Sequence, residues 1–323
     1  MHGGRKIMTR QAQHPKNNRK LYLFLIVSLV FGSGIDATMA SDTLPVRHIF
    51  DLASTESGPM NLPSDVAVAP DGRVYIVDGG NSRIVIYKSN GDFIGTLGSK
   101  GAGAGQFDMP LGITVDKKGR VYVADTGNYR VQIFDPTGLF VKQIPIRDKD
   151  LKIRPVDVAT SPSMDTLYVT GNNNHKVMLY NRQGHQVGQW GKKGNNPSEF
   201  RYPATITVGR DGAVYVVDVL NSRVQIFEVN GQLRTTVGRW GVLPGELFRP
   251  KGVALDKNEN IYITDSYMDV VEVFDNKTNF LHVLSNNSKT NKFSSPVGMA
   301  IDSNNRIYIT EMLENKVSVY SLE

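Results

Sequence analysis

The sequence predicts an all-β protein in which six four-stranded antiparallel blades form a closed ring, a six-bladed β-propeller. Three observations lead to this prediction: a unit of about 46 residues recurs, each unit contains four short apolar runs, and the last unit lacks a run that the N-terminal region can supply. Each copy begins at a proline, and successive prolines are 47, 45, 48, 47 and 46 residues apart. These prolines are Pro63, Pro110, Pro155, Pro203, Pro250 and Pro296.

The second copy illustrates the strands of one unit. Residues 111–116, 120–125, 130–134 and 140–144 are rich in Val, Ile, Tyr and Phe and are separated by turns containing Gly, Asn and Pro, which predicts an antiparallel meander. The repeats show no convincing 3.6-residue apolar period, so we expect no helices in them. The middle runs of several copies are continuously apolar, which indicates sheets covered on both faces by neighbouring sheets.

The two ends of the chain are expected to close the ring together. The last copy has three apolar runs, over residues 297–302, 306–311 and 316–320, and the chain stops at Glu323. The run Val46–Leu52 resembles the fourth strand of other copies, so we predict that this N-terminal strand completes the last blade. Closure of this kind removes an exposed sheet edge.

Residues 1–40 differ from the repeats and predict a signal peptide. Six Lys and Arg residues precede a fourteen-residue apolar segment, Leu21–Gly34, and small residues precede Ser41. Such a segment is short for a membrane span and fits a secretory leader cleaved after Ala40. Thr38 is not the ideal alanine, so an uncleaved anchor is the alternative and would be the chain's attachment to a membrane. The prediction is a secreted or periplasmic, extracellular propeller over residues 41–323.

The leader accounts for most of the positive charge. The chain carries 37 Lys and Arg against 31 Asp and Glu, and residues 1–40 hold six of those bases and one acid, which leaves 31 against 30. This balance gives no basic footprint for nucleic acid, so we expect no nucleic-acid partner. The absence of cysteine excludes disulfides, a thiolate nucleophile and cysteine-bound metal.

The repeated motif resembles a known family. The stretches Pro110–Phe134 and Gly212–Phe227, together with the glycine-rich Gly101–Phe107, are similar to NHL repeats, and the resemblance extends over residues 46–323. It implies a six-bladed propeller. Proteins of this group include scaffolds, receptor sensor domains, RNA-binding modules and some lyases, so the resemblance implies the fold and leaves the activity open.

An acid ends the second strand of nearly every copy. The acids are Asp78, Asp125, Asp218, Asp265 and Glu311, and the third copy has Gly171 instead. Where a base follows five residues later, we interpret the acid as a turn cap that pairs with that base. The fifth copy breaks the pattern, because Val270 stands at the position of the base and Tyr267, Met268 and Asp269 replace the usual turn. Such breaks are often functional.

The start of a first strand and the end of a second strand lie at the same edge of a blade, so several acids are expected on one rim of blades five, six and one. Hard cations prefer carboxylate and carbonyl oxygens. One hypothesis is therefore that Asp65, Asp265 and Glu311 hold calcium or another divalent cation, and the alternative is that these acids are solvated. No other cofactor is predicted. The wider candidate ligand-binding set at the channel mouth and rim is Asp65, Asp157, Lys251, Asp265, Tyr267, Asp269 and Glu311.

We favour a monomeric binding or scaffold module that recognises a protein, peptide or glycan. Long glycine-rich loops, residues 98–110, 191–203 and 238–250, would form one face, with the channel mouth at its centre. In these loops an apolar residue recurs at one offset from the proline and is expected to fill gaps between blades. The residues at this offset are Phe107, Phe200, Leu247 and Phe293. Trp190 and Trp240 are expected to share a second structural position.

The alternative function is a metal-dependent lactonase- or lyase-like enzyme with its site in the central channel. A zinc lyase would need converging histidines. Residues 41–323 contain His48, His175, His185 and His282, which are predicted on a closing strand, on two turns and on an outer strand. A lactonase-like site would use Asp65, Asp157, Asp265 and Glu311. We assign no catalytic residue.

Overall fold

The computed structural model is a closed ring of six antiparallel β-sheets, as the sequence predicts. It describes residues 43–53, 56, 58–285 and 292–322. The predicted signal peptide therefore lies outside the described residues. Within those described ranges, no helix is both long and apolar enough to cross a membrane.

Each blade runs from a first strand at the central channel to a fourth strand at the outside. Blade 1 consists of Pro63–Val68, Val74–Asp78, Arg83–Tyr87 and Phe93–Leu97. Blade 2 consists of Gly112–Val115, Val121–Asp125, Arg130–Phe134 and Phe140–Pro145. Blade 3 consists of Pro155–Thr160, Thr166–Gly171, Lys176–Asn181 and Gln186–Trp190. Blade 4 consists of Pro203–Val208, Val214–Asp218, Arg223–Phe227 and Leu233–Val237. Blade 5 contains Pro250–Leu255, Ile261–Asp265, Val270–Phe274 and Phe280–Ser285. The first three strands of blade 6 are Pro296–Ile301, Arg306–Glu311 and Lys316–Ser321.

Short elements occur between these strands. Two small two-stranded pairings join Ser99–Lys100 with Gln106–Phe107, and Arg147–Asp148 with Leu151–Lys152. Three 3-10 turns follow second strands, at Gly79–Asn81, Val219–Asn221 and Met312–Glu314.

The hydrophobic core lies between neighbouring blades. Facing sheets contribute to shared clusters, as where Tyr122 and Ile144 of blade 2 pack with Val158 and Val169 of blade 3. The apolar loop residues predicted to fill the gaps between blades do so. Phe107, Phe200 and Leu247 are 0% exposed, and Phe293 is 3% exposed. The continuous apolar runs of the second strands thus bury both faces of each sheet.

The N-terminal strand completes the last blade, as predicted. Arg47–Leu52 pairs antiparallel with Lys316–Ser321 and supplies the fourth strand of blade 6. The segment before it was not predicted to pair, yet Thr43–Pro45 lies parallel to Phe280–Ser285 and gives blade 5 a fifth strand. Val46 between these two strands is fully buried. The N-terminal segment therefore holds two neighbouring blades together, in addition to closing the ring.

Strand direction gives the ring two different faces. The loops between blades and the turns from second to third strands lie on one face, which we call the long-loop face. The turns from first to second and from third to fourth strands lie on the other, which we call the short-turn face. The repeated prolines and the acids that end the second strands are therefore on the long-loop face.

Replacing Leu52 by alanine should lower the free energy of unfolding by about 2–5 kcal/mol, because the side chain is 1% exposed and its loss leaves a cavity between blades 6 and 1. Chemical denaturation followed by circular dichroism measures this change.

Deleting residues 41–53 should give an aggregating product, since it removes both N-terminal strands.

Ile49 provides the matched control, because it lies in the same strand but is 36% exposed. Ile49→Ala should change the free energy of unfolding by less than about 1 kcal/mol. A soluble deletion variant with an unchanged melting temperature would contradict the role given to the N-terminal segment.

Candidate ligand site at the channel mouth

The six first strands surround a central channel with a cavity at each end. The cavity on the long-loop face has a volume of about 420 Å³, and we call it the mouth cavity. The cavity on the short-turn face is about 590 Å³. Asp65, Asp157 and Thr205 line both cavities and therefore form the waist between them. Each is the third residue of its first strand, counted from the repeated proline.

The residue after each repeated proline lines the mouth cavity. These residues are Ser64, Leu111, Val156, Ala204, Lys251 and Val297. Lys251 carries the one charge in this ring. Its side chain is half-buried, and the described residues offer its ammonium group no hydrogen bond or carboxylate. Burial lowers the pKa of Lys251, and nearby Arg249 lowers it further.

The turns after the second strands complete the wall of the mouth cavity. Asn172, Val219, Leu220 and Met312 follow the ends of second strands, and Tyr202 precedes the proline of blade 4. Most of these side chains are apolar, so the cavity suits an apolar group and offers a few polar contacts at its edge and floor. Pockets of this size and lining are typical ligand sites.

Two carboxyl groups form the floor of the mouth cavity. Asp65 Oδ2 accepts a hydrogen bond from the backbone N–H of Ile113 in blade 2 at 2.9 Å. Asp157 Oδ2 accepts one from Ile206 N–H in blade 4 at 2.9 Å, and its Oδ1 accepts one from Val158 N–H at 2.7 Å. Each aspartate therefore satisfies a first-strand N–H of the next blade. A first strand has no neighbouring strand on its channel side, so these donors would otherwise be unpaired.

Glycines make room for both aspartates. Gly112 and Gly298 occupy the same position in blades 2 and 6 that the aspartates occupy in blades 1 and 3. A side chain on Gly112 would overlap Asp157, and one on Gly298 would overlap Asp65. The waist thus depends on glycine and aspartate at adjacent positions.

The waist carboxyls are hard to ionise. Burial raises the pKa of Asp157 to about 7. Burial also raises the pKa of Asp65 well above its usual value, and the negative charge of Asp157 adds to this effect. Both groups are nearly inaccessible to solvent, at 6% and 4% exposure for Asp65 and Asp157. Below neutral pH the floor of the mouth cavity is therefore mostly uncharged.

The cavity on the short-turn face has a different character, because charged side chains surround it and several are already paired. Asp116 Oδ2 lies 2.7 Å from Arg120 Nε, and Asp302 Oδ2 lies 2.7 Å from Arg306 Nη2. Arg210 and Glu259 form a longer pair at 3.6 Å. These internal pairs neutralise several of the charged groups around this cavity.

The acids that end the second strands hold the long loops in place. Each accepts a backbone N–H from the loop before its own blade: Asn61 to Asp78 at 2.7 Å, Asp108 to Asp125 at 2.8 Å, Arg201 to Asp218 at 2.7 Å, Phe248 to Asp265 at 2.6 Å, and Ser294 to Glu311 at 2.7 Å. In blade 3, where Gly171 replaces the acid, Asn173 Oδ1 accepts the Arg154 N–H at 2.9 Å instead. The acids are almost fully buried.

The structure divides the predicted site residues into two groups. Asp65, Asp157 and Lys251 meet at the mouth cavity. Asp265 and Glu311 are engaged by loop amides, and Tyr267 and Asp269 lie on the long-loop face outside the cavity lining.

The proposed cation ligands are not brought together. Across the described part of the chain, no three His, Asp or Glu side chains are arranged to hold a metal ion, so Asp65, Asp265 and Glu311 do not form one cluster. The physical reason is that Asp65 bonds to the first strand of the next blade at the channel waist, whereas the oxygens of Asp265 and Glu311 accept N–H groups of the long loops.

The expectation for the two tryptophans is wrong for Trp240. Trp190 ends the fourth strand of blade 3 and pairs with Val177, as Val237 pairs with Val224 in blade 4. Trp240 lies farther along its loop, where it bridges to Leu247, and it is 70% exposed. The similar Trp-Gly pairs in the sequence therefore occupy different positions.

Sequence reasoning also missed Asn172, Tyr202, Leu220 and Met312 as wall residues of the mouth cavity. Their positions in the repeat could have indicated this role, because Met312 directly follows the acid of its blade and Tyr202 directly precedes the repeated proline.

Comparison with known proteins agrees with this architecture. The NHL repeat model matches residues 60–87 and 107–134, and a model described as a 6-bladed beta-propeller matches residues 209–316. The chain is therefore an NHL-repeat six-bladed β-propeller. No match was found among curated proteins.

Several solved structures share the fold. A streptogramin B lyase structure is 15% identical with a TM-score of 0.61, over 86% of this chain and 98% of that one. A catalytically inactive histidine variant of virginiamycin B lyase from Staphylococcus aureus, with quinupristin, is 15% identical with a TM-score of 0.60, over 81% and 80%. A protein of unknown function from Bacteroides thetaiotaomicron is 16% identical with a TM-score of 0.66, over 88% and 75%. At these identities the likeness shows the fold alone.

The free energy of unfolding of the Asp157→Asn variant should increase relative to that of the wild type as pH rises from 5 to 8. In the wild type, Asp157 binds its proton more tightly in the folded state, with a pKa of about 7, than in the unfolded state. Its contribution to stability is therefore present at low pH and is lost as pH rises through about 7. The asparagine does not titrate and lacks this loss.

Urea denaturation at several pH values gives the difference in unfolding free energy between the two proteins. Asp71→Asn is the control, because Asp71 is an exposed acid on the short-turn face and its effect should vary little over this range. If the difference in unfolding free energy between the wild type and Asp157→Asn stays constant from pH 5 to 8, Asp157 is ionised throughout this range.

Proposed function

We propose that this chain is an exported, monomeric binding propeller whose mouth cavity receives part of a protein or peptide partner. The observation that carries the proposal is the mouth cavity of about 420 Å³, which has apolar walls and contains Lys251, a cation without a partner among the described residues. A cavity of this volume accommodates one or two side chains or a chain terminus rather than a folded surface. The surrounding loops would contact the rest of the partner.

The loops around the mouth cavity suit recognition because they are rigid. Backbone N–H groups of the long loops are bonded to buried carboxylates, so the rim does not have to be ordered when a partner binds. Pre-ordering of this kind reduces the entropy cost of association. The ring of six blades fixes the separation of the described loop residues that are bonded to these carboxylates.

Export is proposed from the sequence of residues 1–40. The expected measurement is the intact mass of the protein recovered from the extracytoplasmic fraction of its own cells. We expect a chain that begins at Ser41, since the small residues that precede it fit a cleavage site. A mass that includes residues 1–40, in a membrane-bound product, would favour the anchor instead.

A photo-crosslinking amino acid tests binding at the mouth cavity. Introduced at Tyr202, which lines the mouth cavity and is 44% exposed, it should form crosslinks to a protein or peptide in cells that express the chain. The Lys251→Trp substitution should abolish these crosslinks, because it fills the cavity and removes the charge.

Lys257 provides the matched control. It lies in the same blade as Lys251, is exposed, and lines the cavity on the short-turn face. A crosslinker at Lys257 should give no specific product. Equal products from both positions, or none from Tyr202, would contradict binding through the mouth cavity.

A lyase-like or lactonase-like enzyme is the second candidate. Two observations favour it: the shared fold with a streptogramin B lyase, and a waist carboxyl, Asp157, whose pKa of about 7 suits proton transfer near neutrality. The described histidines do not line either cavity, which weighs against a histidine-based mechanism. Conversion of quinupristin by the purified protein, followed by chromatography and lost in Asp157→Asn, would favour the enzyme over the binding module.

A further inference from the structure

A group of three aromatic rings, two of them exposed, lies on the long-loop face at blade 5. The Phe248 and Tyr267 rings are stacked with centroids 4.3 Å apart, and the Trp240 ring lies 6.3 Å from Phe248. Trp240 is 70% exposed and Tyr267 is 64% exposed. We call these three residues the aromatic platform. Its rings extend outward from the ring of blades instead of filling the core, so packing does not account for them.

The aromatic platform is built rigidly around Asp265. Phe248 N–H donates to Asp265 Oδ2 at 2.6 Å, and Tyr267 N–H donates to Asp265 Oδ1 at 3.1 Å. Trp240 is held by a backbone bridge to the fully buried Leu247. Exposed rings on a fixed backbone bind with little loss of conformational freedom, which is why Tyr and Trp are frequent in interaction hot spots.

Unneutralised cations lie beside the aromatic platform. The Arg249 guanidinium lies 5.1 Å from the centre of the Phe248 ring, and its hydrogen bond is to the carbonyl of Phe248. Lys251, two residues later, extends into the mouth cavity without a partner in the described chain. A third cation, Arg201, lies on the preceding long loop, is exposed and forms no ion pair with the described residues.

The nearby carboxylates are already occupied. Asp265 accepts loop amides, and Glu246 is paired with Arg239 at 3.1 Å. Asp218 is paired with Arg223 at 2.9 Å, and Asp269 accepts the Ser295 N–H at 3.1 Å. The guanidinium of Arg249 and the ammonium of Lys251 therefore have no carboxylate contact among the described side chains, and they lie adjacent to aromatic rings and an apolar cavity.

We infer that the partner is an acidic peptide segment that carries an aromatic or aliphatic side chain. Its carboxylates would pair with Arg249 and Lys251, its backbone would cross the aromatic platform, and its apolar side chain would enter the mouth cavity. This inference rests on the proposed function and names the chemistry of its partner. Single-stranded nucleic acid fits less well, because residues 41–323 carry 31 bases against 30 acids and the cavity beside the cations is apolar.

Selection from an unbiased library of random dodecapeptides tests the inference. The bait is the protein comprising residues 41–323. We expect the enriched peptides to have a net negative charge and at least one aromatic residue or leucine. Synthetic versions without tryptophan should change the fluorescence of exposed Trp240, and Trp240→Phe should remove this signal while half-buried Trp190 remains.

Lys251→Glu should weaken binding of the enriched peptides by about 10- to 100-fold, as expected for loss of a bond between charged groups. Lys257→Glu is the matched control, with the same charge change in the same blade at the opposite face, and it should change the affinity by less than about threefold. Binding should also weaken as salt is raised, since the rim is exposed to solvent.

The outcomes separate this inference from the proposed function. Enrichment of basic or neutral peptides that still lose affinity on Lys251→Trp would overturn the acidic partner and support binding at the mouth cavity. Equal losses in Lys251→Glu and Lys257→Glu would also overturn the inference. If no peptide is enriched, or if a single-stranded oligonucleotide binds and the peptides do not, both the inference and the proposed function fail.

Discussion

The hydrogen bond from a loop N–H to a buried carboxylate is the interaction on which the long-loop face of this propeller depends. The acid that ends a second strand accepts a hydrogen bond from the loop that enters the same blade, as Asp125 does from the N–H of Asp108. The charge is offset by several donors, which is the condition for burying a carboxylate. Repeated around the ring, this contact turns flexible connections into a fixed rim.

The same principle, an inward carboxyl that satisfies a neighbour's backbone, operates at the channel waist. There it links blade to blade, since Asp65 and Asp157 bond to the next first strand. The rim acids accept hydrogen bonds from several donors, whereas burial raises the pKa of the waist acids. The propeller thus combines loops bonded to buried acids, an apolar mouth cavity and a floor whose charge depends on pH, and the first two of these support the proposed recognition site.

The repeat predicted the blades and their closure well, because apolar period and proline spacing are local properties of the chain. The broken pattern at Asp265 was harder to interpret. The absent base suggested a free acid, but the N–H groups of Tyr267 and Met268, both 3.1 Å from Asp265 Oδ1, take the place of that base. Backbone donors leave no trace in composition. The prediction for Trp240 was wrong because the glycine that corresponds to Gly191 is Gly238 and not Gly241, so equal motifs do not imply equal positions. The parallel strand Thr43–Pro45 depends on tertiary pairing alone.

Hydrogen exchange of the backbone amides of the long loops measures whether the buried carboxylates fix the rim. The donors to the second-strand acids are Asn61, Asp108, Arg201, Phe248 and Ser294. If buried carboxylates hold the rim, these amides should exchange as slowly as amides within the strands, although they belong to loops. Exchange at the rate of unstructured peptide would contradict the account, because the rim would then be mobile and the mouth cavity would have no fixed wall.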